Sequence, residues 1–473
     1  MRVTFVNMRR EMYPLLGACY MSAYVKQTLA SVETSLVELV VNEDLHAAAR
    51  KILALDPDVV GITTFTVGYY DTMALCGILK SIKPDVQVWL GGAHITSVPH
   101  TLPTGADLGI IGEGEETFLE LCRLWENEGG IPANSLSEIK GICYRDGSDI
   151  RVTERRGLIS PLDSIPPPDL SILDMDWYIK EKKFFLLNRY LRGFVLLTSR
   201  GCPYDCRFCQ AAVQWGKCRY NSAERVVSEI EALRRKYRKI NAINIIDDLF
   251  IGSIKRLREI VRLIREKKLH DGIVFNINGR ANLINEEVLE LLKSINVIQI
   301  SYGFESASER VLSYLKGGTV TVEHNFRAAE LTNGIGMGVG GQFMLGTPGE
   351  TEQDILSTID FIRRNPMSHA HLSVTTPLPG TVLWQDCKQK GLVSDDMDWR
   401  KLDFGLPDNP SLIYVNDDSV PKEKFTTFVK DAQEACARWN PKPTIRDYLG
   451  YLELMSLREF IRKGARKLLR LLK

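Results

Sequence analysis

The chain lacks any apolar run long enough to cross a bilayer, which excludes a membrane-spanning helix. It lacks an excess of either charge: 60 Lys and Arg stand against 59 Asp and Glu, a net of +1. That balance argues against a chain built to coat nucleic acid, and no nucleic-acid partner is expected. There is no internal repeat and no low-complexity tract, so neither a solenoid nor a disordered scaffold is expected. There is no secretory leader pattern, because Met1-Arg2 runs directly into Val3-Thr4-Phe5-Val6-Asn7, which reads as a strand. The expectation is a cytoplasmic protein with at most a peripheral membrane contact. No G-x-G-x-x-G follows that first strand, which counts against a flavin or dinucleotide site.

What remains is an ordinary globular composition, 44% hydrophobic and 25% charged, in 473 residues, enough for about two to four domains. Residues 1–130 alternate short apolar strands with helices and predict a doubly wound, Rossmann-like α/β domain with its ligand crevice at the carboxyl ends of the strands. Residues 131–190 read as a connector, with a hairpin near Ile139–Arg145 and a stiff Pro166-Pro167-Pro168 stretch. From 191 to 384 the alternation resumes. Six strand–helix units, with strands near Val195–Ser199, Ala242–Asp247, Ile273–Asn278, Ile298–Gly303, Gly338–Leu345 and His371–Thr376, predict a partial (β/α)6 TIM-like barrel. Residues 385–473 read as a mostly helical tail. Its last segment, Tyr451–Lys473, carries seven Lys and Arg among leucines at helical spacing. That pattern fits either a basic amphipathic helix lying on an anionic membrane or a docked terminal helix with a solvated face.

Of ten cysteines, Cys19, Cys76, Cys122, Cys143, Cys218, Cys387 and Cys436 are scattered, as buried thiols of a reduced protein are. The other three fall within eight residues: Cys202-Pro203-Tyr204-Asp205-Cys206-Arg207-Phe208-Cys209, directly after a strand. Three thiolates at C-x3-C-x2-C suit an iron–sulfur cluster with one iron left without a protein ligand. Zinc would want a fourth ligand, for which Cys218 is the nearest thiol.

This loop closely resembles that of the radical S-adenosylmethionine enzymes, C-x3-C-x-aromatic-C, with Phe208 at the aromatic position. The resemblance implies that Cys202, Cys206 and Cys209 hold a [4Fe–4S] cluster. Its open iron would bind S-adenosylmethionine, and one electron from an external reductant would cleave it to a 5′-deoxyadenosyl radical. Later strand ends extend the resemblance. Asp247-Asp248-Leu249-Phe250 stands where the family commonly has Gly-Gly-Glu, a D-D-x-F form being usual in the cobalamin branch. Asn278 and Arg280 end the third strand, Gly303-Phe304-Glu305-Ser306 resembles G-x-E-S, and Gly346 lies in a glycine-rich fifth-strand motif near the adenine. These residues are implied to contact the cofactor. Tyr302, Trp215 and Gln210 stand near the implied site.

In the first domain, Gly91-Gly92-Ala93-His94-Ile95-Thr96 and Gly112-Glu113-Gly114-Glu115 resemble the G-G-x-H-x-T and G-E-G-E signatures of cobalamin-binding domains fused to radical enzymes. The loop starting at Thr63 and Thr64 is implied to meet the lower face of the cobalt. The D-x-H-x-x-G motif of mutase-type cobalamin domains is missing. The resemblance implies methylation of an unactivated carbon in a small-molecule or lipid substrate. The alternatives are a non-methylating radical ring closure or rearrangement, and a non-enzymatic cobalamin or redox sensor.

Overall fold

A computed structural model of the chain describes residues 1–184, 189–403, 411–416, 418–442 and 444. The basic segment Tyr451–Lys473 lies outside the described residues. Two compact units are present, Met1–Tyr178 and a second that starts at Ile179.

The first unit is built on β1 (Arg2–Asn7), β2 (Glu33–Glu38), β3 (Val59–Thr63), β4 (Gln87–Gly91), β5 (Leu108–Ile110), β6 (Ile142–Asp146) and β7 (Asp149–Val152), in sheet order 2-1-3-4-5-6-7. The first five strands are parallel, and the β6–β7 hairpin joins antiparallel to β5. The order reverses between β1 and β3, the switch point at which an open α/β sheet presents its ligand crevice. One face buries Val6, Ile62, Leu75 and Leu90, the other Phe5, Trp89 and Phe118. The hairpin belongs to this sheet, so the unit continues past residue 130. The stretch after the prolines is also fixed to it: Asp169 accepts from Ser22 at 2.7 Å and Lys26 at 2.8 Å on the first helix, Leu16–Thr28.

The second unit opens with a short antiparallel pair, β8 (Lys182–Phe184) and β9 (Arg189–Leu191). Then come β10 (Gly193–Leu196), the two-residue strands β11 (Ser199–Arg200) and β12 (Arg219–Tyr220), β13 (Ala242–Ile245), β14 (Val274–Gly279), β15 (Val297–Glu305), β16 (Gly338–Leu345) and β17 (His369–Val374). Six of these, in order 10-13-14-15-16-17, form one all-parallel sheet curled through 181°, a half-barrel, as the sequence predicts. The helices between them start on side-chain caps, which explains why their N-termini are legible: Ser222, Ser253, Asn285, Ser308, Thr321, Thr351 and Thr381 each accept a backbone N–H of the first turn. Beneath them Phe304, with no exposure, packs on Tyr302, Phe343 and Phe361 at ring-centroid distances of 5.2, 5.9 and 5.4 Å. Tyr302 therefore faces the helices, its hydroxyl on Thr332 at 2.7 Å, and is not part of the lumen.

Among the described residues no helix is long and apolar enough to cross a membrane. Phe304→Ala should lower the stability of the half-barrel by about 3–5 kcal/mol, since the void is walled by rigid rings that cannot collapse into it. Urea unfolding monitored on this unit reads the effect.

Candidate active site

The cysteine loop leaves β10 under tight control. Asp247, at the end of β13, has no solvent exposure. Its Oδ1 accepts from the backbone N–H of Thr198 (2.5 Å) and Ser199 (3.2 Å), and its Oδ2 from the Thr198 hydroxyl (2.5 Å). Arg256 adds bonds to Thr198 O (2.8 Å) and Thr198 Oγ1 (2.7 Å). Burial pushes the Asp247 pKa up, against these donors. Asp247 therefore anchors the loop, sealed from solvent with three donors already on its oxygens. Asp248 points the other way. It is exposed, accepts from the Gly201 amide, and has its pKa raised by desolvation and by Asp247.

Beyond the β11–β12 ribbon the three cysteines are half-exposed. Gly201, at φ +83°, makes the turn into them; a Cβ there would lie 3.1 Å from Trp215 Cβ. Arg207 fixes the far side. Its N–H bonds Leu315 O (2.9 Å), its carbonyl accepts from Leu383 N (2.8 Å), and its guanidinium meets Asp386 at 2.6 Å, which also takes the Tyr314 hydroxyl at 2.8 Å. Gln210 Nε2 adds a bond to Pro379 O at 3.2 Å, and Trp215 lies beneath Arg200. Burial pushes the Cys202 and Cys209 thiols up to about 11 and about 12, so bare thiols here stay protonated until a cationic centre draws the protons off. Among the described residues no three His, Cys, Asp or Glu side chains close on a point as ligands of one ion do. The thiols are spread over one loop, which suits a polynuclear cluster whose irons take one sulfur each.

The other strand ends surround this loop. Arg280 reaches Cys206 Sγ with Nη1 at 3.4 Å. Asn278 donates to Asp247 O at 3.0 Å. A bulge between Gly303 and Glu305 turns Glu305 into the left-handed region at φ +60°, and a Cβ at Gly303 would overlap its Oε1. Lys316, itself buried, lies 3.4 Å from Glu305 Oε1 and donates to Gly303 O. Nothing in the spacing of residues marks Lys316. Ser306 does not reach the lumen: it is 1% exposed, its hydroxyl on Thr358 (3.0 Å) and on Ser308 N (3.2 Å). Gly346, at φ +85°, turns over the buried Glu350, whose Oε2 accepts from Gly346 N at 2.5 Å and Thr347 N at 3.1 Å.

In the first unit the two glycine motifs lie at the ends of β4 and β5, as expected, but their side chains mostly serve the protein. His94 is wholly buried, with Nδ1 3.2 Å from Thr66 Oγ1 and Nε2 3.0 Å from Thr101 Oγ1. Thr101 spends its proton on Val98 O, which assigns the His94 proton to Nε2. Thr96 Oγ1 accepts from Gly112 N at 3.1 Å, and Glu113 from Ile159 N at 2.9 Å. Glu115 is 4% exposed. His94, Thr96 and Glu113 thus hold loops, and Glu115 is enclosed at the start of the helix that follows. Gly92, at φ +92°, lies against Thr63 and Thr64, where a Cβ would come within 2.9 Å of Thr64 O. Thr63 is half-buried, and Thr64 is enclosed with its hydroxyl lacking a protein partner. Open room remains at Gly91 and Gly112, where a Cβ would meet almost nothing, while Gly114 is half-buried. Phe65 and Val67 expose 56% and 38% of their surface beside them. A bare glycine edge with exposed apolar side chains suits a broad planar ligand such as cobalamin.

Comparison with known proteins agrees with both halves. The family model for the Radical SAM superfamily matches residues 196–362, and that for the B12 binding domain matches residues 2–122. An uncharacterized methyltransferase of Pyrococcus horikoshii is 32% identical over 82% of this chain and 81% of its own. The chain belongs to the cobalamin-binding radical SAM enzymes. Its cofactors are accordingly a [4Fe–4S] cluster, S-adenosylmethionine and cobalamin. An anaerobic magnesium-protoporphyrin IX monomethyl ester cyclase of Rubrivivax gelatinosus is 28% identical over 84% of this chain and 69% of its own. The same fold occurs in TsrM, a radical S-adenosylmethionine methyltransferase from Kitasatospora setae, with TM-score 0.71, 17% identity, and coverage of 99% and 98%.

Asp247→Asn places an amide N–H among donors that need acceptors, so iron bound per chain should fall more than twofold, while Asp248→Asn retains it. Iron and sulfide analysis after reconstitution separates the two. Burial also holds His94 down to about 3, well below its ordinary value of 6.5. The unfolded chain binds that proton first, so stability contributed by neutral His94 is present above pH 6.5 and drains away as pH falls towards 3. Acid titration of unfolding should show this slope in the wild type and lose part of it in His94→Gln.

Proposed function

We propose that this enzyme transfers a methyl group to an unactivated carbon of a small-molecule or lipid substrate, drawing electrons from an external one-electron reductant in the cytoplasm. The observation that carries the reading is the pairing, in one chain, of a three-thiol loop and a glycine-edged α/β domain, and relatives named as methyltransferases match over most of that chain. A hopanoid C-3 methylase of Methylococcus capsulatus, 26% identical over 71% of this chain and 62% of its own, supports a lipid as one substrate class. When bound, the cluster and S-adenosylmethionine supply a hydrogen-abstracting radical, and cobalamin supplies a transferable methyl group.

The residues of the chain bind, orient and exclude water. Cys202, Cys206 and Cys209 hold the cluster, with Phe208 between the last two. Asp248 offers the methionyl ammonium a carboxylate whose internal hydrogen bond, from Gly201, leaves acceptor capacity. Glu305, held by Lys316, and Asn278 flank the same ligand, while Gly346 is buried against Phe425 and Tyr414 and shapes the strand end from behind. Thr63, Gly91, Gly92, Gly112 and Gly114 edge the corrin.

A second reading, radical ring closure, is favoured by the likeness to the cyclase. Both are tested by reducing the reconstituted protein with S-adenosylmethionine labelled in its methyl group and candidate lipids. Wild type should form 5′-deoxyadenosine and labelled product, and Cys206→Ala neither. 5′-Deoxyadenosine with an unlabelled, altered product would assign ring closure instead.

A further inference from the structure

Arg280, at the end of β14, is 7% exposed and is held by three groups. Nη1 donates to Cys206 Sγ at 3.4 Å, Nη2 to Thr319 Oγ1 at 2.6 Å, and the guanidinium lies 3.8 Å from the centroid of the Tyr204 ring. Its Nε is buried without a hydrogen-bond partner. Among the described residues no carboxylate pairs with it. The half-buried arginines of this unit differ: Arg225 meets Glu229, and Arg207 meets Asp386.

A buried cation without a counter-ion is costly. Here the negative charge comes from the thiolates themselves, once they carry the cluster. Each added electron raises that negative charge by one, so a fixed cation beside a ligand sulfur favours the reduced form over the oxidised. Hydrogen bonds to ligand sulfurs and low solvent access act on the potential in the same way. The Tyr204 ring and the Thr319 hydroxyl keep the guanidinium from swinging away, and Tyr204 belongs to the cysteine loop itself.

We propose that Arg280 is a positioning residue that raises the reduction potential of the cluster by holding a desolvated positive charge on the Cys206 sulfur. This rests on the cluster assignment, which iron and sulfide analysis of the wild type tests separately. The decisive measurement is a redox titration of the full-length reconstituted protein, followed by electron paramagnetic resonance and without S-adenosylmethionine. Arg280→Met should make the cluster at least tenfold harder to reduce, a shift of ~59 mV to more negative potential for one electron. Arg280→Lys keeps the charge and should shift by less than half as much. If Arg280→Met does not retain its iron, Thr319→Val decides, because it frees one arm of the guanidinium without touching a cysteine. A negative shift in it supports the proposal, and a wild-type potential overturns it. A fully loaded Arg280→Met with wild-type potential also overturns it, and lost affinity for S-adenosylmethionine in that variant would assign the cation to the cofactor's carboxylate.

Discussion

The enclosed carboxylate of Asp247 constrains the whole catalytic end of the half-barrel. A buried carboxylate is tolerated only when its oxygens find donors, and all three donors come from Thr198 and Ser199. The exits of β10 and β13 are thereby locked together. Arg256 closes the arrangement by bonding the carbonyl and hydroxyl of Thr198. From that fixed point the chain runs through Ser199–Arg200, paired with Arg219–Tyr220, and turns at Gly201 into the first cysteine. The second fixed point is Arg207 on Asp386, so Cys202 and Cys206 hang between two anchors and Cys209 follows two residues after the second.

The first unit solves a similar problem with glycine and histidine. Its ligand edge needs loops that pack closely without side chains in the way, and Gly92 lets one loop lie on the Thr63–Thr64 backbone. His94 fills the space behind, tied to Thr66 and Thr101 and lying against the Tyr69 ring at 4.4 Å. A neutral imidazole suits this place because it donates at one nitrogen and accepts at the other. The motif histidine is thus part of the wall that shapes the edge.

The architecture was legible in the sequence because both domains announce themselves locally. Short apolar strands, capped helices and a cysteine loop after a strand are properties of neighbouring residues. Roles within the motifs were less legible, because burial is set by the fold. Asp247 and Asp248 are adjacent and chemically alike, yet one is sealed against Thr198 and the other faces outward. Ser306 follows Glu305 directly, but the bulge at β15 sends their side chains apart. Lys316, Thr319 and Asp386 carry no motif at all. They arrive from a helix, its exit turn and a later helix, and only tertiary contact reveals them.

Charge is distributed over these strand ends in a way that singles out one group. Arg256 serves the Asp247 anchor, Lys316 serves Glu305, and Arg280 serves the Cys206 sulfur. Each of these cations is buried or half-buried and held by hydrogen bonds, Lys316 and Arg280 on or beside the group they serve and Arg256 on Thr198, so none is free to travel. Asp248 is the carboxylate left over: Asp247 repels its charge, and among the described residues no cation pairs with it. An acidic group beside a cysteine loop, raised in pKa by desolvation and without an internal counter-ion, gains most from a ligand that brings a positive charge of its own. The ammonium and sulfonium of S-adenosylmethionine are such charges. On the proposed assignment of Asp248 to the methionyl ammonium, the fixed cations elsewhere would do as much to define that place as the carboxylate itself.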